Sequence, residues 1–67
     1  KVEEALIVYT QLYQLDNSNL ETMAHIAECY DRLGFRGFSR SYADHLPILN
    51  ENIGNKEVIE IINRLDG

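Results

Sequence analysis

The sequence predicts an all-α chain of about four helices arranged as tandem hairpins. Three observations point there. Apolar residues recur at helical spacing through most of the 67 positions. No segment alternates at period two for long, so no strand is expected. The chain also matches itself at a shift of 34 to 35 residues.

The first helix is expected over residues 2–15. Val2, Ala5, Leu6, Tyr9, Leu12 and Tyr13 fall at i, i+3, i+4, i+7, i+10 and i+11, one stripe of a 3.6-residue period. Asp16, Asn17, Ser18 and Asn19 interrupt the stripe with turn-forming side chains. Ser18 followed by Glu21 fits a capping box, with the hydroxyl accepting from an early helical N–H and the carboxylate reaching back. The second helix then carries Leu20, Met23, Ala24, Ile26, Ala27, Tyr30 and Leu33, and Gly34 ends it without a Cβ penalty in a left-handed conformation. Phe35, Phe38, Tyr42, Ala43, Leu46 and Leu49 continue at helical spacing. Pro47 lacks the N–H for one ladder bond, so the third helix is expected from about Gly37 to Leu46, ending or kinking at the proline. Asn50, Glu51, Asn52 and Gly54 form the next turn. Asn55 caps the last helix, Glu57 sits near its positive end, and Val58, Ile59, Ile61, Ile62 and Leu65 make its apolar face.

The self-match orders these helices. At a shift of 34, Val8 meets Tyr42, Leu12 meets Leu46, Leu15 meets Leu49 and Asp16 meets Asn50, while Ala5 meets Ser39. At a shift of 35, Met23 meets Val58, Ala24 meets Ile59, Ile26 meets Ile61, Ala27 meets Ile62 and Tyr30 meets Leu65. The first and third helices therefore correspond, as do the second and fourth. That is a helix-pair repeat of about 34 residues.

Together with that length, the run from Met23 to Gly34 resembles the tetratricopeptide repeat. Met23, Ile26, Ala27, Tyr30, Leu33 and Gly34 occupy the places of that family's apolar, apolar, small, aromatic and Leu-Gly pattern, and Ala5 with Tyr9 matches the preceding small-then-aromatic pair. The departures are Met23 at the Trp place, Asn17 for the turn Pro, the exchange of large and small at Ala43 and Leu46, and Pro47 where the family continues its helix. The resemblance implies a right-handed α-solenoid fragment forming a single domain over 1–67: the second helix of one repeat over 1–16, one repeat over 19–50 and a capping helix over 55–66. Small residues such as Ala5, Ala24 and Ala27 let backbones approach while Tyr9, Met23 and Tyr30 fill the gaps. Tyr9, Met23, Ala27, Tyr30 and Ile61 are accordingly expected to share one interior. Each repeat buries its apolar face only against the next, so a lone repeat is weak.

Composition narrows the function. Six Lys plus Arg against eleven Asp plus Glu give a net charge of −5, which argues against a nucleic-acid surface. The longest aliphatic run, Ala5–Val8, is far too short for a bilayer, and no membrane partner or signal peptide is expected. One cysteine forms no internal disulfide, which fits an intracellular, cytoplasmic setting. His25 and Cys29 share a helix face at metal-ligand spacing, but the chain has only His45 besides and no second Cys, so no metal or cofactor is expected. Cys29 with His25 or His45 makes a nucleophile and base only on paper, since no motif frames them. Arg32, Arg36 and Arg40 recur every four residues. They read as solvated side chains pairing with Glu28 or Asp44, or as a site for an acidic tail.

In the family the first helices line a concave groove. By that resemblance the partner-binding residues are Glu21, Ala24, Glu28, Asp31 and Arg32. Family members that grip the acidic tails of heat-shock chaperones carry Lys and Asn at the places held here by Ala24 and Glu28, so such tails are not expected to bind this face. A basic or apolar protein segment suits it better. The expected function is a non-enzymatic protein-interaction scaffold or adaptor. The rivals are a small secretion-type chaperone of the same repeat class, a regulatory helical domain of a larger enzyme, and a helical subunit of a transcription or RNA-processing assembly.

Overall fold

The computed structural model describes residues 1–49 and 54–66. Among the described residues the chain is all-helical: α1 (Val2–Leu15), α2 (Leu20–Leu33), α3 (Arg36–Ala43), α4 (Leu46–Leu49) and α5 (Lys56–Asp66). No helix among them is long and apolar enough to cross a membrane. The turn expected over Asn50–Asn52 lies outside the described residues.

The first two helices begin and end at the residues the apolar spacing sets, but the device that starts α2 differs from the expected one. Asn19, not Ser18, is the N-cap: its Oδ1 accepts from the Thr22 N–H at 3.1 Å. Ser18 turns the other way, donating its hydroxyl and its N–H to Asp16 Oδ1 at 2.6 and 3.1 Å, which holds the Asp16 carboxyl below its ordinary value. Glu21 is then free to leave the cap. Gly34 ends α2 at φ +88°, with its own N–H on Asp31 O and the Phe35 N–H on Tyr30 O, the paired bonds of a Schellman turn.

The third helix is shorter than expected and is displaced. It runs Arg36–Ala43 in place of Gly37–Leu46, stops at Asp44–His45, and the chain restarts as the single turn α4. Pro47 therefore sits in the first turn of α4, where a missing N–H costs nothing, and never interrupts α3. His45 seals the break by donating Nδ1–H to Ser41 O at 2.8 Å. Asn55 caps α5 as expected, accepting from the Val58 N–H at 3.2 Å.

α2 is the central element and touches each of the other four helices. The start of α1 lies beside the second half of α2, because Lys1, Val2, Ala5 and Tyr9 line one hollow with His25, Glu28, Cys29 and Arg32. The end of α1 meets the start of α2 and the end of α3 where Tyr13, Met23, Tyr42 and His45 converge. α1 and α3 thus both run antiparallel to α2. α5 runs parallel to it, since Glu21 meets Asn55, His25 meets Glu57 and Glu28 meets Arg64. The molecule measures 30 × 29 × 17 Å, a slab about two helices thick.

The interior joins α2, α4 and α5. Leu20, Met23, Ala24, Leu46, Val58 and Ile61 form it, with Tyr13, Tyr42, Ile62 and Leu65 against its edge. Leu46, Val58 and Ile61 are 0 % exposed, and burial of a side chain of this kind is worth about 1.5–3 kcal/mol. This interior is narrower than the shared one expected of Tyr9, Met23, Ala27, Tyr30 and Ile61. Met23 and Ile61 belong to it, and Ala27 is fully buried on the same arc of α2. Tyr9 and Tyr30 are half-buried outside it, in ring stacks of their own. A phenol has a polar end to keep wet, and the α4 turn brings in Leu46, which fills the space instead.

Candidate functional site

The residues singled out for partner binding do not form one surface. α2 turns about 100° per residue, so Glu21, Glu28 and Arg32 fall on one stripe with His25 at i, i+4, i+7 and i+11. Ala24 is turned into the interior against Leu46, Val58 and Ile61 and is 0 % exposed. Asp31 lines a separate small hollow with Arg36, Ser39, Arg40, Ala43 and Leu65. His25 stands on the same stripe, beyond the metal-ligand or base role its spacing to Cys29 suggests. Its spacing from Glu21 and Glu28 was the available signal that it belongs to the stripe.

The stripe is knitted to α5 at three levels. Asn55 Nδ2 donates to Glu21 Oε1 at 2.8 Å. His25 donates Nε2–H to Glu57 Oε1 at 2.6 Å. Arg64 Nε donates to Glu28 Oε2 at 2.8 Å, and the other Glu28 oxygen lies 3.9 Å from His25 Nδ1. On its far side the His25 ring stacks on Tyr9 of α1, centroids 4.8 Å apart and planes within 9°. A single imidazole thereby touches three helices. Glu21 and Glu28, two of the carboxylates expected to contact a partner, are already engaged within the molecule.

What remains open on this side is a hollow of about 320 Å³ between α1 and α2. Its floor is Val2, Ala5, Tyr9 and Cys29, and its rim is Lys1, His25, Glu28 and Arg32. Burial, with the Glu28 charge beside it, pushes the Cys29 thiol up from its ordinary value, so the group stays protonated. Of the pair at metal-ligand spacing, the His25 ring is held by Tyr9 and Glu57, and the Cys29 thiol is buried.

The arginine series is split as the glycine break requires. Arg32 lies in the last turn of α2, Arg36 begins α3, and Arg40 pairs with Asp44 at 3.5 Å, between exposed groups. Glu28 takes Arg64 from α5 rather than Arg32 from its own helix.

Two further surfaces expose apolar side chains. α1 buries no residue fully, and Ile7, Val8, Leu12 and Leu15 stand out from it. At the α2–α3 turn, Phe35 and Phe38 are 53 % and 60 % exposed. Against protein-family models, curated proteins and solved structures the chain finds no match.

Proposed function

We propose that the chain is a tetratricopeptide-like repeat element that acts as a non-enzymatic scaffold, holding an apolar or basic segment of another protein along the α2 stripe. The observation that carries this reading is the register of α5 on α2. The three bridges between them join residues 34, 32 and 36 positions apart, which brackets the shift at which the sequence matches itself. Parallel helices one period apart, with an antiparallel helix between them in the chain, are what stacked hairpins produce. The hollow beside the stripe has an apolar floor and a mixed-charge rim, a composition suited to a side chain entering from a partner segment. A non-catalytic role is supported by the groups that could have done chemistry. Cys29 is a buried protonated thiol, His25 is held by Glu57 and Tyr9, and His45 is spent on the Ser41 carbonyl.

Because Glu21 and Glu28 are occupied by Asn55 and Arg64, affinity in this reading comes from the apolar floor, and the rim charges set orientation. The test is a backbone-amide NMR map of the chain titrated separately with an apolar helical peptide, a basic peptide and an acidic peptide. The apolar or basic peptide should move resonances of residues 1–9 and 21–32, and Tyr9→Ala should weaken that response. If neither peptide moves this stripe, the scaffold reading of α2 is lost.

A further inference from the structure

The α2–α3 turn exposes the largest aromatic surface among the described residues. Five rings run through it in contact: Phe35 meets Phe38 at 6.3 Å and Tyr30 at 6.4 Å, Phe38 stacks on Tyr30 at 5.2 Å, Tyr30 on Tyr42 at 6.0 Å, and Tyr42 meets Tyr13 edge-on at 6.1 Å. The inner end is anchored, since Tyr42 and Tyr13 pack against the interior. The outer end opens to solvent as a hollow lined by Gly34, Phe35, Arg36, Gly37, Phe38 and Ser41. Exposed rings held by rings behind them offer contact area with little further loss of side-chain freedom.

The charge around this corner runs against that of the molecule. From Arg32 to Ala43 the chain carries three of its six basic side chains and no carboxylate, although its net charge is −5. Arg36 lines the aromatic hollow directly. Arg40 lies one turn on, and Asp31 faces the same two arginines from α2. α3 also begins without a side-chain cap and with no acidic residue in its first turn, so its own residues do not counter its positive end.

From this juxtaposition we propose that the Phe35–Phe38 corner, with Arg36, is a second docking surface, whose occupant is a short acidic segment of another protein carrying an aromatic or large aliphatic side chain. The apolar side chain enters between the two phenylalanines, and a neighbouring carboxylate meets the Arg36 guanidinium. A peptide is favoured over a nucleic acid because the positive region is one corner. A strand carrying a charge at every phosphate would extend past it onto a surface with an acidic excess.

The test is fluorescence anisotropy of the full chain with a labelled peptide alternating Glu and Leu or Phe, and with its Lys-for-Glu counterpart. The acidic peptide should bind roughly tenfold or more tightly than the basic one, and its binding should weaken as salt is raised. Arg36→Glu should weaken it by about tenfold or more, and Phe38→Ala should weaken it comparably. Arg36 is exposed, so its variant is expected to melt with the parent chain; an unchanged melt keeps the result readable even if Phe38→Ala disturbs the ring stack. Equal binding of the two peptides, or an acidic peptide indifferent to Arg36→Glu, overturns the proposal. So does tighter binding of a single-stranded oligonucleotide of matched charge or of anionic vesicles. Self-association in sedimentation that Arg36→Glu abolishes also overturns it, by making a second copy the occupant. Amide shifts at residues 34–41 rather than 21–32 separate this surface from the α2 stripe, so either can fail alone.

Discussion

Ala27 has no exposed surface and sits with Leu20, Met23 and Ala24 at i, i+3, i+4 and i+7, the arc of α2 that faces the interior. Its methyl group is fully enclosed, so a larger side chain has no solvent to grow into. Ala27→Leu should overfill that contact and cost about 1–3 kcal/mol in denaturant unfolding. A neutral result would show that the arc is not packed. Cys29 tests the other side of the same helix. Its thiol is raised first by burial and then by Glu28, and the Tyr42 phenol is raised by burial and by Tyr30 and Tyr13. Both folded-state values lie above the unfolded ones, so the native state holds these protons more tightly. The stabilisation is complete below the ordinary thiol value of about 8.5 and is lost as pH rises through the folded value. Unfolding free energy should therefore decline on the alkaline side, and Cys29→Ala should shallow that decline. The native thiol should also react slowly with an alkylating reagent at neutral pH. An equally steep alkaline limb in Cys29→Ala would assign the effect to Tyr42 alone.

α1 and α2 were legible in the sequence because each obeys one rule at a time: unbroken spacing inside, turn residues outside, and Gly34 at the end. The capping box expected of Ser18 and Glu21 does not form, because the adjacent Asn19 caps α2. Ser18 and Asn19 both cap well, and the choice depends on Asp16, which captures the Ser18 hydroxyl and leaves Asn19 to take Thr22. That competition is three-dimensional. It predicts an asymmetry: Asn19→Ala should cost ~1 kcal/mol, whereas Ser18→Ala removes only an exposed link to Asp16 and should lie within about 0.5 kcal/mol of the parent chain. Thermal unfolding of the two variants checks it, and equal costs would mean that the cap is shared. The third helix departs from the expected Gly37–Leu46 for a related reason. Its apolar spacing runs on through Leu46, but the chain turns at Asp44–His45, and Leu46 enters the interior from α4 instead. Spacing records that Leu46 faces inward without recording which helix carries it there. The candidate site was half legible. Glu21, Glu28 and Arg32 do share a stripe, whereas Ala24 lies with Leu20, Met23 and Ala27 on the apolar arc, so its own spacing pointed inward while the family resemblance pointed it at a partner, and α5 covers it.

As a whole the molecule rests on very little. Its interior is a small set of side chains from α2, α4 and α5, and α1 adds no fully buried residue. At about 0.05–0.15 kcal/mol per residue, a chain of 67 residues has only roughly 3–10 kcal/mol of stability. Leu46 is the point at which that reserve is most exposed to a single change. It is 0 % exposed, arrives on a one-turn helix, and packs in the cluster that joins α2 to α5. Truncating it removes the buried methyl groups and leaves a cavity, at about 2–5 kcal/mol, a cost comparable with the total. Leu46→Ala should therefore abolish a sharp unfolding transition or bring its midpoint close to ambient temperature. Ile48, two residues on and 73 % exposed, serves as the matched control: Ile48→Ala should change stability by about 0.5 kcal/mol or less. Circular dichroism melts of the pair decide it. If Leu46→Ala melts like Ile48→Ala, then α4 does not join α2 to α5, and the parallel register of those helices rests on the direct packing of Leu20, Met23 and Ala24 against Val58 and Ile61. The Glu21, His25 and Glu28 bridges are solvent-facing contacts of about 0–1 kcal/mol each, too weak to hold it without that packing.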